Sequence, residues 1–178
     1  MILESIFAGF GGQGVMLMGQ LLAYSGMYEG KNTTYVPSYG PEMRGGTANC
    51  SVVVSDELIG SPVISVPNIV VAMNRPSMEN FEGMIQSGGT LFYNSSLIDV
   101  KPKRTDIKVV AIPANEIATE LGSSRVANMV VLGAILKSTT VVHIDTVMKV
   151  LQEKVLTGKK KDLVAVNRKA IEKGMEAV

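Results

Sequence analysis

Gly9-Phe10-Gly11-Gly12-Gln13-Gly14 forms a GxGxxG loop between the strand-like run Ile2 to Phe10 and an apolar stretch at helical spacing. In such a corner the first glycine permits a tight turn and the second lets a backbone approach a phosphate or another main chain. The third packs the helix onto the strand. Amides at the helix start carry roughly half a positive charge, which suits an anion. The loop is therefore a candidate cradle for a nucleotide or diphosphate. Its structural use would be no more than closing a strand-to-helix corner.

A dinucleotide site asks for a carboxylate about 20 positions later, at the tip of the second strand, to hold a ribose hydroxyl. Thr33 to Val36 is the expected second strand, and it runs into Pro37-Ser38-Tyr39-Gly40 without one. Glu29 precedes that strand, at the helix end, and no arginine stands at the tip for a phosphorylated ribose. A free-standing nicotinamide dehydrogenase is thus disfavoured as a reading.

The elements that must position the loop alternate through the first two thirds of the chain. Strands are expected at 2–10, 33–37, 47–55, 69–73, 90–94 and 107–112, and helices at 14–29, 77–84, 115–121, 125–137, 145–156 and 162–176. Arg75-Pro76-Ser77 reads as a cap, as do Ser123 and Ser124. Strands separated by helices imply an α/β fold, a Rossmann-like three-layer sandwich whose sheet is mainly parallel. The run 47–55 follows its predecessor without a helix, and Asp56-Glu57 offers a turn into Leu58 to Val63. A local antiparallel addition is therefore expected there.

At 178 residues the chain fits one domain, 1–178, able to bury about 70% of its unfolded surface. Seventeen basic residues against sixteen acidic ones argue against nucleic acid or an anionic membrane as partner. The basic run Lys159-Lys160-Lys161 reads as a solvated loop. One cysteine, Cys50, excludes an internal disulfide or an iron–sulfur cluster held by this chain, and its apolar run suits a buried thiol. No apolar run reaches the roughly 18 residues of a membrane span, and Glu4 is at odds with a signal peptide. The expected compartment is the cytoplasm.

The most specific segment is Pro37-Ser38-Tyr39-Gly40-Pro41-Glu42-Met43-Arg44-Gly45-Gly46-Thr47-Ala48-Asn49-Cys50-Ser51-Val52. With the glycine loop and the run Arg125-Val126-Ala127-Asn128-Met129-Val130-Val131-Leu132-Gly133-Ala134, it resembles the gamma subunit of the 2-oxoacid:ferredoxin oxidoreductases over about residues 3 to 175. The Ser-Tyr-Gly-Pro-Glu-Met-Arg-Gly-Gly-Thr-Ala form looks more like the 2-oxoglutarate or branched-chain type than the charged, Phe-containing pyruvate type. The small subunit of indolepyruvate oxidoreductase is the near alternative.

The resemblance implies oxidative decarboxylation of a 2-oxoacid, with 2-oxoglutarate preferred, to an acyl-CoA, with electrons passed to ferredoxin. Thiamine diphosphate, magnesium and iron–sulfur clusters would lie in the alpha, beta and delta partner subunits. This chain has neither the Gly-Asp-Gly segment that holds the magnesium diphosphate nor cysteine clusters. It would bind no cofactor alone and contribute no catalytic residue. Its role would be to close the active site, shape the coenzyme A approach and hold the assembly together.

Gly9, Gly11, Gly12, Gln13, Gly14 and Arg44 are the candidate cofactor-contacting residues on this reading, and Tyr39, Gly40, Pro41, Glu42, Met43 and Asn128 the candidate partner-facing ones. Tyrosine, methionine and arginine on one loop are typical of interface cores. Arg44 suits a phosphate of coenzyme A, a partner carboxylate, or a local pair with Glu42. Asn128, in an apolar run, needs a partner for its amide, either the glycine loop or another loop it caps. His143 reads as a solvent-side or capping residue at a helix start, and no metal site is expected.

Overall fold

The computed structural model describes residues 1–40, 47–158 and 163–178. Its strands are β1 (Ile2–Phe10), β2 (Asn32–Tyr39), β3 (Thr47–Ser55), β4 (Ile69–Ala72), β5 (Thr90–Asn94) and β6 (Lys108–Ile112). The helices are α1 (Val15–Tyr28), α2 (Arg75–Phe81), α3 (Ala114–Glu120), α4 (Ala127–Thr139), α5 (Ile144–Val150) and α6 (Val164–Glu176). One sheet in the order β2-β3-β1-β4-β5-β6 joins the strands, with β4, β5 and β6 parallel to β1. The parallel part follows from strands that are apolar on both faces, as in β4, whose four residues are all buried.

Alternate residues of β1 feed two cores. Leu3 and Phe7 join a large one beneath α1, α3, α4, α5 and α6, whereas Ile6 and Ala8 join a smaller one beneath α2. The period of two along a strand produces that division. Three layers result, thick on one side of the sheet and thin on the other.

The antiparallel addition is present, but it is built differently from the expectation. β3 pairs antiparallel with β1 from Ile2↔Ser55 to Phe10↔Thr47, and with β2 from Asn32↔Ser55 to Tyr39↔Ala48. The hairpin partner of 47–55 is therefore the preceding strand, and residues 58–63 form no strand. Leu58 is 90% and Val63 71% exposed, so this apolar-looking piece buries nothing that would hold it against a sheet. At the proposed turn Asp56 is tethered instead, by the Met1 amino group at 3.0 Å and Lys31 at 2.6 Å.

β2 also runs past Pro37, where the sequence reading ended it. The Gly40 amide donates to the Thr47 carbonyl at 2.9 Å, and pairs alternate from there, so the Pro37 nitrogen faces away from β3. Its missing N–H costs no ladder bond, and on an outer strand it blunts the free edge. Asn74, not the 75–77 segment, caps α2, accepting from the Ser77 amide at 2.9 Å. The expected helix 77–84 is α2 followed by a 3₁₀ turn at Glu82–Met84. Neither Ser123 nor Ser124 caps through its side chain; a 3₁₀ turn at Ser124–Val126 leads into α4. His143 does stand at the N-cap of α5, exposed, with its backbone amide donating to Glu29 at 2.7 Å.

The long helices α4 and α6 cross at two glycines. A Cβ at Gly133 would overlap the Ile171 carbonyl, and one at Gly174 would overlap the Val130 carbonyl. Because the obstacle is main chain on both sides, the helices would have to separate. Gly133→Ala or Gly174→Ala is expected to cost about 1–3 kcal/mol as overpacking. In thermal denaturation this lowers the midpoint by several degrees, at roughly 2–4 °C per kcal/mol for a chain of this size. Unchanged midpoints for both variants would show that the crossing is not set there.

Candidate functional site

The glycine loop joins the end of β1 to α1. Gln13 donates its backbone amide to the Phe10 carbonyl at 3.1 Å, and Gly12 and Gly14 adopt φ of 96° and 76°, in the left-handed region that favours glycine. Gly14 is the N-cap of α1, which has no side-chain cap and no acidic residue in its first turn. The positive end of that helix is therefore uncompensated and faces the loop. A Cβ on Gly12 would meet nothing within 4 Å, so one wall of the loop is open.

The Gln13 side chain is turned inward. Its Oε1 accepts from the Phe10 amide at 2.7 Å and from Asn74 Nδ2 at 2.9 Å, while Nε2 donates to the Met73 carbonyl at 3.2 Å. One amide thus ties the end of β1 to the end of β4 and to the cap of α2. Gly9 fits beneath it, since a Cβ there would stand 2.8 Å from Gln13 Oε1. Asn128 is 6% exposed, and its Nδ2 donates to the Gly14 carbonyl at 3.4 Å. Its Oδ1 accepts from the Met129 amide at 3.0 Å. Of the two alternatives for this amide, the glycine loop is the partner it meets.

Two cavities flank the loop. The larger, about 410 Å³, is lined among the described residues by Gly11, Gly12, Gly14, Met16, Gln20, Tyr39 and Thr47. Tyr39, 65% exposed, and Gly40, bonded to Thr47, bring the second motif to the same place as the first. Pro41, Glu42, Met43, Arg44, Gly45 and Gly46 lie outside the described residues, as do Lys159, Lys160 and Lys161. The smaller, about 140 Å³, lies between Gly12, Gln13 and Met73 on one side and Ser124, Arg125, Ala127 and Asn128 on the other. In the sequence Arg125 stands out only as part of a motif, because nothing local marks a residue that a 3₁₀ turn some 110 positions downstream brings to the loop.

The sheet order removes the dinucleotide geometry as well as its acid. β3 lies between β1 and β2, so the tip of β2 stands two strand spacings, about 10 Å, from the loop. Glu29 faces His143 at the other end of α1. Nor does the chain's one thiol fit metal or nucleophilic work. Cys50 is fully buried, with its Sγ 3.6 Å from the Val15 carbonyl, and burial pushes it from an ordinary 9.0 up to about 12. Tyr35 beside it is also pushed up to about 12, chiefly by burial. Among the described residues no group of three His, Cys, Asp or Glu could hold a metal, and no helix is long and apolar enough to cross a membrane.

The described residues form a Rossmann-like α/β unit whose glycine corner meets a hairpin tip. Residues 4–177 match the model of the pyruvate ferredoxin/flavodoxin oxidoreductase family, and the chain belongs to that family. It is 33% identical over 169 residues to the 2-oxoglutarate synthase subunit KorC of Methanocaldococcus jannaschii, covering 93% of this chain and 90% of that one. It is 44% identical over 129 residues, 72% of its length, to the ketoisovalerate oxidoreductase subunit VorA of Methanothermobacter marburgensis. The chain spans only 27% of that relative.

In structure it resembles the keto/oxoacid ferredoxin oxidoreductase gamma subunit of Geobacter sulfurreducens, with a TM-score of 0.82 and 30% identity over 98% of this chain and 97% of that one. It also resembles the 2-oxoglutarate:ferredoxin oxidoreductase of Magnetococcus marinus, solved with 2-oxoglutarate, coenzyme A and succinyl-CoA. There the TM-score is 0.89 and the identity 27%, over 99% of this chain but 31% of the other.

Two outcomes test the geometry. Gly12→Ala should carry only the left-handed backbone cost of roughly 1–2 kcal/mol, whereas Gly14→Ala adds an overlap with the Asn128 amide. Gly14→Ala should therefore melt lower than Gly12→Ala, and Asn128→Ala in the same chain should recover part of the difference; simple additivity would remove the contact from the account. Cys50 should resist iodoacetamide at pH 8.5 in the folded chain and react at once in urea. The raised value also sets a sign: below about 9 both states hold the proton, and above it the unfolded chain loses its proton first. The contribution of Cys50 to stability therefore falls as pH rises from about 9 toward 12. Rapid labelling under folding conditions would contradict the burial.

Proposed function

We propose that this chain is the non-catalytic gamma-type subunit of a multi-subunit 2-oxoacid:ferredoxin oxidoreductase that converts a 2-oxoacid to an acyl-CoA, with 2-oxoglutarate the preferred substrate. The observation that carries the reading is the full-length match to gamma-type chains, coinciding with a glycine corner and hairpin tip that share one cavity. Iron–sulfur clusters do not fit the donor set of this chain, whose one cysteine is buried and held as a thiol, and the sequence has no Gly-Asp-Gly segment for thiamine diphosphate and magnesium. They belong to alpha, beta and delta partners, which also meet ferredoxin, in the cytoplasm.

Coenzyme A fits better. The bare N-terminus of α1 and the open side of Gly12 are suited to a phosphate, and the adjoining cavity of about 410 Å³ reaches to Tyr39. Gly9, Gln13 and Asn128 hold that corner in shape while Gly11, Gly12 and Gly14 face it. Tyr39, Gly40, Pro41, Glu42 and Met43 are assigned to the partner surface, and Arg44 to a phosphate of coenzyme A.

A branched-chain 2-oxoacid is the second reading, favoured by the 44% identity to the ketoisovalerate subunit. To decide, the chain would be reconstituted with its genomic neighbours and reduction of a viologen dye followed with coenzyme A and each 2-oxoacid. Activity should require all chains and be faster with 2-oxoglutarate than with ketoisovalerate; the reverse order would establish the second reading. Arg44→Ala should raise the KM for coenzyme A about tenfold or more, the loss of one charge-assisted bond, with little change in kcat. Turnover by the isolated chain would overturn the proposal, as would full activity without it.

A further inference from the structure

The sheet ends differently on its two sides. β6 carries Lys108, a common guard against unwanted edge pairing, whereas α1, β2 and β3 hold no charged residue at all. β2 is eight residues long, and no described strand pairs with its outer side. The Gly40 bond to Thr47 sets the alternation: even positions face β3, so the N–H and C=O groups of Thr33 and Tyr35 point outward. Pro37 blocks that edge only at its own nitrogen.

Beside those groups runs a groove of about 420 Å³, lined by Gln20, Ala23, Tyr24, Met27, Thr33 and Tyr35. Its floor is β2: a Cβ on Gly26 would meet the Thr33 side chain and one on Gly19 the Tyr35 ring, so both lean toward α1. Its wall is the outer stripe of α1, where Tyr24 is 42% and Met27 57% exposed. Uncharged lining rich in tyrosine and methionine is the composition of an interface core. Gln20 also lines the cavity at the glycine corner, so the groove continues the surface already assigned to a partner. Beyond Tyr24, Lys154 and Lys149 stand over the Tyr24 and Tyr28 rings at 5.9 and 5.5 Å, with no ion pair among the described residues.

We infer that β2 is a docking edge, to which an extended apolar segment of a larger partner subunit adds as a seventh strand. Strand addition takes its affinity from main-chain bonds and its specificity from pockets for alternate side chains. Thr33 and Tyr35 supply the bonds, and every second side chain of the added strand enters the groove under Tyr24 and Met27. An acidic residue beside that strand would meet Lys154 and Lys149. A second copy of this chain fits less well, because its Thr33 and Tyr35 side chains are turned to its own α1, which would leave both grooves unfilled. In the Magnetococcus marinus enzyme a unit of this fold makes up 31% of the chain, joined to a body about twice its size, so a large subunit is a better occupant than a short peptide. The inference rests on the gamma-subunit reading and deepens it.

The test is hydrogen exchange resolved to single residues, on the chain alone and after reconstitution with its genomic neighbours. In the isolated chain the Thr33 and Tyr35 amides should exchange fast, and those of Thr34 and Val36, bonded to β3, slowly. In the complex Thr33 and Tyr35 should slow roughly tenfold or more. Met27→Lys, at an exposed position, should melt with the parent. It should weaken assembly roughly tenfold or more, as loss of an interface anchor does, while Lys108→Gln leaves assembly unchanged. Failure of the neighbours to combine with this chain would remove the gamma-subunit reading and this inference with it. A complex in which Thr33 and Tyr35 still exchange fast would overturn the docking edge alone, as would slowing instead at Val109 and Ala111, whose amides face outward from β6. So would undiminished assembly of Met27→Lys, or slowing in the isolated chain that grows with its concentration, which would make the occupant a second copy.

Discussion

The Gln13 side-chain amide is the interaction on which the rest of the site depends. Its three bonds reach the Phe10 amide, the Met73 carbonyl and the Asn74 amide, so the ends of β1 and β4 and the cap of α2 move as one body. Those groups lie at the edge of the two cores, where a buried donor or acceptor left without a partner costs about 1–3 kcal/mol. The four glycines around it have no side chains to stiffen the loop, and two of them sit at positive φ. Rigidity comes from bonds that leave the loop, those of its own Gln13 to Met73 and Asn74 beneath and that of Asn128 to Gly14 from the side.

That clamp works only because the layers above it are packed closely. α1 lies on β3 through Gly19 and Gly26, where an added Cβ would press on Cys50 in one case and on Thr33 and Val54 in the other. α4 is held in turn by its glycine crossing with α6, which places Asn128 over Gly14. Small residues set the height of each helix, and the height of each helix sets whether a side chain reaches the loop. The buried thiol belongs to this packing: Cys50 fills the space that Gly19 leaves, and its high affinity for the proton follows from that burial.

Much of this was legible in the sequence, for physical reasons. Periodicity and breakers located the strands and helices, because the faces of an element are set by which residues must leave water. The glycine loop and the need of Asn128 for a partner could be read because both follow from local chemistry. Neighbour relations could not. Alternation tells which face of Thr47–Ser55 is buried but not which strands flank it, and insertion between β1 and β2 keeps the same faces buried as the expected hairpin with 58–63. The clamp of Gln13 on Met73 and Asn74, and the arrival of Arg125 at the loop, join residues 60 and more positions apart. No pattern along the chain records such distances.

The inserted strand decides what kind of site the loop can be. In a dinucleotide fold the second strand lies against the first and its tip carries the ribose acid; here an antiparallel strand takes that place, and the hairpin tip rises beside the loop instead. The surface that would have closed over a nucleotide becomes an exposed edge bearing Tyr39, blunted by Pro37 against indiscriminate pairing. Tyr39 stands exposed at the mouth of a cavity with the uncapped start of α1 behind it, and among the described residues that positive end has no acidic side chain in its first turn. The same features suit a subunit whose glycine corner meets anionic groups while its hairpin tip is covered by another chain.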